Sequence, residues 1–296
     1  MDLVVKSPRI PVPGETILGG EFLMVPGGKG ANQAVAIARL GADVHFVARL
    51  GNDIFGRKSL ENLRMLRVDT KHVTLTADVP SGVALITVDE AGDNAIVVAP
   101  GANMKLSPED VFRAQSEICS ASAVVAQLEV PMRTVQCVAE LAHRAGVKFI
   151  LNPAPAQKLS PGLLSMVTVL TPNETEAEIL TGVKVVDADS ACRAADMLLN
   201  AGVQAVVLTM GAKGFLFAQG DRREMIAALK VKAVDTTAAG DAFTGSLAVG
   251  FGQGHSLREA AVFAGRAAAL SVMKMGAQPS MPTLQEVCDL DPREYM

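Results

Sequence analysis

From about residue 30 onward, apolar positions switch between two spacings. Segments 31–40, 54–66 and 132–145 place apolar residues three and four apart, which predicts helices with one buried face. Gly41 ends the first, and Asp53 stands where an N-cap belongs at the start of the second. Between and beyond them lie short apolar runs of strand length, at 44–49, 123–127, 148–151, 167–170 and 205–209. Strands that alternate with helices join through right-handed crossovers. The pattern therefore predicts an α/β fold, a mostly parallel central sheet with helices on both faces.

Two stretches break the rhythm. Residues 3–25 hold β-like pieces at 16–18 and 21–25, separated by Gly19-Gly20. Residues 82–99 read as a hairpin, with strands at 83–88 and 95–99 around the turn Asp89-Glu90-Ala91-Gly92. Antiparallel pieces inside an α/β chain predict a small β lid over one edge of the main sheet, formed by segments of about 3–26 and 82–100. Such a flap serves to keep water from a reactive phosphate. Position alone leaves a hairpin without function equally open. No repeat or linker divides the chain, so residues 1–296 are expected to form one domain.

Composition narrows the field. A net charge of −4, 4% aromatic residues and no Trp argue against partners such as nucleic acid or an anionic membrane. The four cysteines and four histidines show no metal-ligand spacing. The N-terminus lacks the pattern of a signal peptide, and Glu259 and Arg266 interrupt the Ala-rich stretch 258–273, so a cytoplasmic location is expected.

Four segments carry candidate chemistry. In Asp235-Thr236-Thr237-Ala238-Ala239-Gly240-Asp241, small residues run into a helical pattern and leave amides open at the helix start. Those amides and the helix dipole suit a transferring phosphoryl group, and Asp241 suits the proton of an attacking hydroxyl. Read alone, an Asp after Gly at a helix start is a capping residue; the run of small residues before it turns the reading toward chemistry. Gly27-Gly28-Lys29-Gly30-Ala31-Asn32-Gln33 combines close backbone approach with donors, yet it is neither a P-loop nor GxGxxG. Thr171-Pro172-Asn173-Glu174-Thr175-Glu176 follows a strand, where ligands of open α/β sheets bind. Glu176 reads equally as an indirect Mg2+ ligand or as an ordinary first-turn charge. Thr209-Met210-Gly211-Ala212-Lys213-Gly214 is a turn suited to a nucleotide, or a plain hairpin loop.

Together these segments resemble the ribokinase-like (PfkB) carbohydrate kinases, in the right order along nearly the whole chain. Pro13-Gly14-Glu15-Thr16, GGKGANQ at 27–33, NPAPA at 152–156, TPNETEAE at 171–178, DTTAAGD at 235–241 and GAQPS at 276–280 carry the likeness. The resemblance implies ATP-dependent phosphorylation of a small sugar, first of all D-ribose at its 5-hydroxyl, with 2-deoxyribose as the nearest alternative. It implies Asp241 as catalytic base, and Asp2, Gly28, Lys29, Gly30, Ala31, Asn32 and Glu129 around the sugar. For the nucleotide and its phosphates it implies Asn173, Thr209, Met210, Gly211, Ala212, Lys213, Gly214, Ala238, Ala239 and Gly240. A monovalent cation, K+, is implied at Asp235, Thr237, Ser271, Lys274, Gly276 and Ser280, with Mg2+ near Glu176. Gly265 stands where some relatives carry a nucleotide-contacting His. The family's lid commonly joins two copies, which implies a homodimer.

The N-terminus departs from the pattern. The family opens with a strand and an Asn-x-Asp turn; Asp2 matches the Asp, while the strand and the Asn would precede Met1. A buried strand is therefore expected to be missing. Its neighbours would lose backbone partners, at about 1–3 kcal/mol each, and Asp2 is expected on a fraying end.

Overall fold

The computed structural model describes residues 1–290 of the chain. Its strands are β1 (Asp2–Lys6), β2 (Phe22–Val25), β3 (Ala48–Gly51), β4 (Val73–Thr76), β5 (Val83–Val88), β6 (Asn94–Ala99), β7 (Ala123–Ala126), β8 (Lys148–Leu151), β9 (Val169–Leu170), β10 (Ala205–Thr209), β11 (Phe215–Gln219) and β12 (Arg222–Ile226). The helices are α1 (Lys29–Arg39), α2 (Ile54–Met65), α3 (Pro108–Arg113), α4 (Gln115–Ser120), α5 (Met132–Ala145), α6 (Pro161–Leu164), α7 (Glu174–Thr181), α8 (Ala188–Asn200), α9 (Ala239–Gly252), α10 (Leu257–Ser271), α11 (Ala277–Ser280) and α12 (Leu284–Asp289).

The main sheet runs β12-β11-β10-β9-β8-β7, parallel from β7 to β10 and antiparallel through β11 and β12. Its inner strands β8 to β11 are apolar on both faces because helices cover both, whereas the outer strand β12 carries Arg222, Arg223 and Glu224. Phe149 and Leu151 point into a core shared with α5, α7 and α8, whereas Ile150 between them joins Phe243 and Leu247 of α9 and Ala260 of α10. Val206 and Leu208 repeat the alternation against Ala205 and Val207. Helix α9 is buried on all sides from Asp241 to Gly250, which is why it shows no polar stripe.

A separate four-stranded sheet, β2-β1-β5-β6, holds the segments read as a lid. Two expectations fail here. Residues 16–18 form no strand, and Leu18 is 92% exposed. The strand is instead Asp2–Lys6, antiparallel to β2 and parallel to β5. That pairing also overturns the expected fraying of the N-terminus. The Met1 carbonyl accepts from the Ala84 amide at 3.0 Å, the Met1 ammonium donates to the Gly82 carbonyl at 3.2 Å, and the Met1 side chain is buried.

The apolar run at 44–49 yields a ladder only over Ala48–Gly51, after a lone bridge from His45 to Asp69. Strand β3 pairs in parallel with β4 alone. Segment 44–47 lies across from β7, the outer strand of the main sheet, and a cavity of about 570 Å³ separates them. Phe46, Val47, Val124, Val125, Ile118 and Val138 are among its walls, and no strand of the described residues fills it.

Candidate active site

Helix α9 begins in the cleft at the C-terminal ends of β8, β9 and β10. Its N-cap, Ala238, adopts the left-handed conformation with φ 60°, a geometry that costs a non-Gly residue about 1–3 kcal/mol and recurs at functional sites. No side chain caps the helix. Small residues and an uncapped start leave the amide end of α9 facing the cleft, as the run Thr237–Gly240 suggests.

Asp241, in the first turn, is 6% exposed. Its Oδ2 accepts from Asn32 Nδ2 and its Oδ1 from Gln33 Nε2, each at 2.9 Å. Both donors stand on α1, which starts at Gly28 with φ 97°, a conformation that favours glycine. Burial pushes the Asp241 carboxyl above its ordinary value, opposed by Lys29 and by the two amides. Burial likewise raises Asp2, Glu129 and Glu176, and Lys29 is a charge that opposes the rise in each. The Lys29 amide donates to Glu129 Oε2 at 3.2 Å. The Asp2 carboxylate lies against Gly27, where any Cβ would collide with it. One cation among four carboxylates is an arrangement that holds polyhydroxyl compounds through hydrogen bonds and accepts a proton when one carboxylate ionises.

A cavity of about 190 Å³ joins this cluster to the helix start, with Lys29, Asp241, Gly240, Asn173, Glu176 and Thr209 on its walls. Asn173 is the N-cap of α7, and Glu176 returns the bond in a reciprocal capping box: Glu176 N donates to Asn173 Oδ1 at 2.8 Å, and Asn173 N to Glu176 Oε2 at 2.9 Å. Glu176 is thus a helix-capping residue that also faces the cleft. Residues Thr209–Gly214 connect β10 to antiparallel β11, so they form a hairpin loop beside the cleft. Within that loop the Met210 side chain packs in the core and its amide donates to the Gly214 carbonyl, while Lys213 Nζ donates to the Val186 carbonyl. At Gly265 a Cβ would stand 3.1 Å from the Phe215 ring, so a larger side chain there requires that ring to give way.

Three of the residues expected around a monovalent cation, Asp235, Thr237 and Gly276, are joined by hydrogen bonds. Asp235 Oδ1 accepts from Thr237 N at 2.9 Å, and its Oδ2 from Gly276 N at 2.8 Å, joining the two loops. Burial raises this carboxyl, but the bonds from Thr237 and Gly276 outweigh it and hold it below its ordinary value. Ser271 and Ser280 are fully buried and donate to the carbonyls of Ala268 and Ala277, which leaves their oxygens as acceptors. Lys274 is paired with Glu286, so its ammonium does not compete for the loop. Asp235 thus ties the two loops together, and the carboxylate, hydroxyl and carbonyl oxygens around them are hard donors of the type that holds a cation.

Four amides, Gln33, Gln127, Asn152 and Gln278, surround the site without a role evident from the sequence, although three of them lie inside its motifs. Gln33 also reaches Asn152 Oδ1 at 3.1 Å and accepts from Gln127 Nε2 at 2.6 Å. Only the fold brings these amides to Asp241.

Known proteins place this geometry. The model of the pfkB family carbohydrate kinases matches residues 1–284. A ribokinase of Haemophilus influenzae is 43% identical over 288 residues, covering 97% of this chain and 94% of the relative. A deoxyribokinase of Salmonella typhi is 38% identical over 287 residues, with the same coverage. The structure of Arabidopsis thaliana ribokinase complexed with ribose and ATP superposes with a TM-score of 0.90 at 34% identity, covering 97% of this chain and 94% of that one. With the matched segments converging on one cleft, the chain is a member of the pfkB family of carbohydrate kinases, phosphotransferases that act on a sugar hydroxyl.

Proposed function

We propose that this kinase transfers the γ-phosphoryl group of ATP to the 5-hydroxyl of D-ribose, giving ADP and D-ribose 5-phosphate. The observation that carries the reading is Asp241: a buried carboxylate, tethered through both oxygens, at the open amide end of a buried helix. The sugar hydroxyl hydrogen-bonds to Asp241, attacks the phosphorus as the bond to the ADP oxygen breaks, and gives its proton to Asp241. Amides of Ala238, Ala239, Gly240 and Asp241 meet charge on the moving phosphoryl. Asp2, Lys29, Asn32 and Glu129, with the backbone of Gly28, Gly30 and Ala31, orient the sugar. Asn173, Thr209 and the backbone of residues 210–214 hold the nucleotide.

Mg2+ bound with ATP would neutralise phosphate charge, and Glu176 would meet it indirectly. Asp235, Thr237, Ser271, Lys274, Gly276 and Ser280 would hold K+, the lysine through its backbone. The working location is the cytoplasm, where ATP is supplied.

The four-stranded sheet acts as the lid and as the dimer contact. Its exposed Phe22, Met24, Leu85, Ile96, Val97 and Val98 support that reading, because an apolar patch of this kind on a soluble protein marks an interaction surface. The described residues form one domain.

The test of substrate is ADP release with ribose and 2-deoxyribose in competition, with and without K+, and with the product identified. Ribose-dependent, K+-stimulated release supports the proposal. Preference for deoxyribose would move the chain to the alternative, which the Salmonella relative keeps in view. Sugar binding without ADP would mark a silent binding protein.

A further inference from the structure

Asn32, which holds Asp241, is itself held by a chain of amides that ends well away from the cleft. Gln278 Nε2 donates to Asn32 Oδ1 at 3.2 Å, and Asn62 Nδ2 donates to Gln278 Oε1 at 2.7 Å. Gln278 and Asn32 are each 5% exposed, while Asn62 on α2 is half-buried. The direction of this chain follows from its end. An ionised carboxylate only accepts, so Asn32 must turn its NH2 to Asp241 and its oxygen to Gln278. Gln278 must then present its NH2 to Asn32 and its oxygen to Asn62. Each amide has one orientation that satisfies both neighbours, and reversing any one of them reverses the rest.

We propose that Asn62 and Gln278 are positioning residues for phosphoryl transfer, an amide relay that fixes the orientation of Asn32 and so keeps a donor, not an acceptor, against Asp241. This rests on the reading of Asp241 as base. Asn62 touches no substrate in that reading and acts only through Gln278 and Asn32. The charged groups that face Asp241 from other elements are Lys29, Asp2, Glu129 and Glu176. The carboxylate that Asn62→Asp adds is told from the relay by repeating the titrations at high salt, which screens an added charge and leaves a reversed amide in place. A difference that salt abolishes overturns the relay.

The test reverses the relay from its outer end. Asn62→Asp is nearly isosteric but only accepts. It draws the Gln278 NH2 toward itself, the Asn32 NH2 toward Gln278, and so turns the Asn32 oxygen toward Asp241. Two facing acceptors are tolerated only with a proton between them, so Asp241 should titrate at higher pH. Asn62→Leu removes one hydrogen bond without imposing the reversal. The Asp241 carboxyl is followed by 13C NMR in the unliganded protein, and kcat and the KM for ATP are measured on the same samples. We expect Asn62→Asp to titrate about one pH unit higher than Asn62→Leu, with kcat at neutral pH about tenfold lower and the KM for ATP within twofold. Equal Asp241 titration in the two variants overturns the relay, whether or not the enzyme turns over. A raised titration without sugar-dependent turnover in the wild type would uphold the relay and overturn the reading of function. Should Asn62→Asp not fold, Gln278→Leu is compared with wild type; an unmoved Asp241 titration there also overturns the proposal.

Discussion

Gly245 of α9 lies against Ala36 of α1 with no room for a methyl group: a Cβ on Gly245 would stand 2.8 Å from the Cβ of Ala36 and 2.9 Å from the Gln33 carbonyl oxygen. This is the closest approach that lets two residues of α1 reach the carboxylate of Asp241, one turn earlier on α9. Gly245→Ala should push the helices apart. Overpacking of this kind costs about 1–3 kcal/mol, and kcat should fall with stability because the Asn32 and Gln33 amides move with their helix. Urea midpoints and kcat, measured together, check both effects.

On the proposed mechanism Lys29 opposes the burial that raises the Asp241 carboxyl. Asp241 accepts a proton only when ionised, so kcat/KM should rise with pH through its raised pKa. Lys29 is the nearby charge that lowers that pKa. Lys29→Met should therefore move the acid limb of the kcat/KM profile to higher pH by about one unit, besides weakening substrate binding.

The same burial makes Asp241 a liability for stability. Its folded pKa lies above the ordinary 3.8. Its contribution is thus most favourable below the ordinary value and is lost as pH rises through the raised one. Asp241→Asn lacks this loss. Its urea midpoint relative to wild type should increase as pH rises from the ordinary carboxylate range, and parallel titrations of both proteins over pH would show it.

Asp235 binds two loops through two backbone amides. Asp235→Asn sets an NH2 against one of those donors and removes the carboxylate charge. The proposed stimulation of turnover by K+ should be lost or moved to much higher K+ concentration, with the KM for sugar little changed. Initial rates over a K+ series measure this.

Val97 is 67% exposed on the outer strand of the lid sheet, among other apolar side chains. On the proposed dimer contact, the wild type sediments as a dimer and Val97→Lys as a monomer, with circular dichroism unchanged.

Legibility along the chain followed the length scale of the interactions. Helices such as Ile54–Met65, with its Asp53 cap accepting from the Gly56 amide at 2.8 Å, are specified by neighbours in sequence and could be read there. Strand Asp2–Lys6 could not, because its partners arrive at residues 22–25 and 83–88 and the terminal position argued for fraying. The hairpin Phe215–Ile226 was missed for a related reason: its first strand is apolar on both faces and lacks alternation. In the site, Asp241, Lys29 and Asn32 stood out by motif. The role of the amides that orient them did not: Gln33 and Gln278 lie inside motifs and Asn62 outside them, but what each does depends on contacts as distant as 246 residues between Gln278 and Asn32. Glu176 was ambiguous in sequence because capping and facing the cleft are both properties of a first helical turn, and it does both.

The most direct test of the account is the kcat of Asp241→Asn for ribose-dependent ADP release, beside wild type at saturating ATP, sugar and K+. A carboxylate that takes the hydroxyl proton cannot be replaced by an amide, so kcat should fall by about two to four orders of magnitude in a protein that stays folded. A kcat within a few-fold of wild type would contradict the assignment of Asp241, and with it the mechanism built on the start of α9.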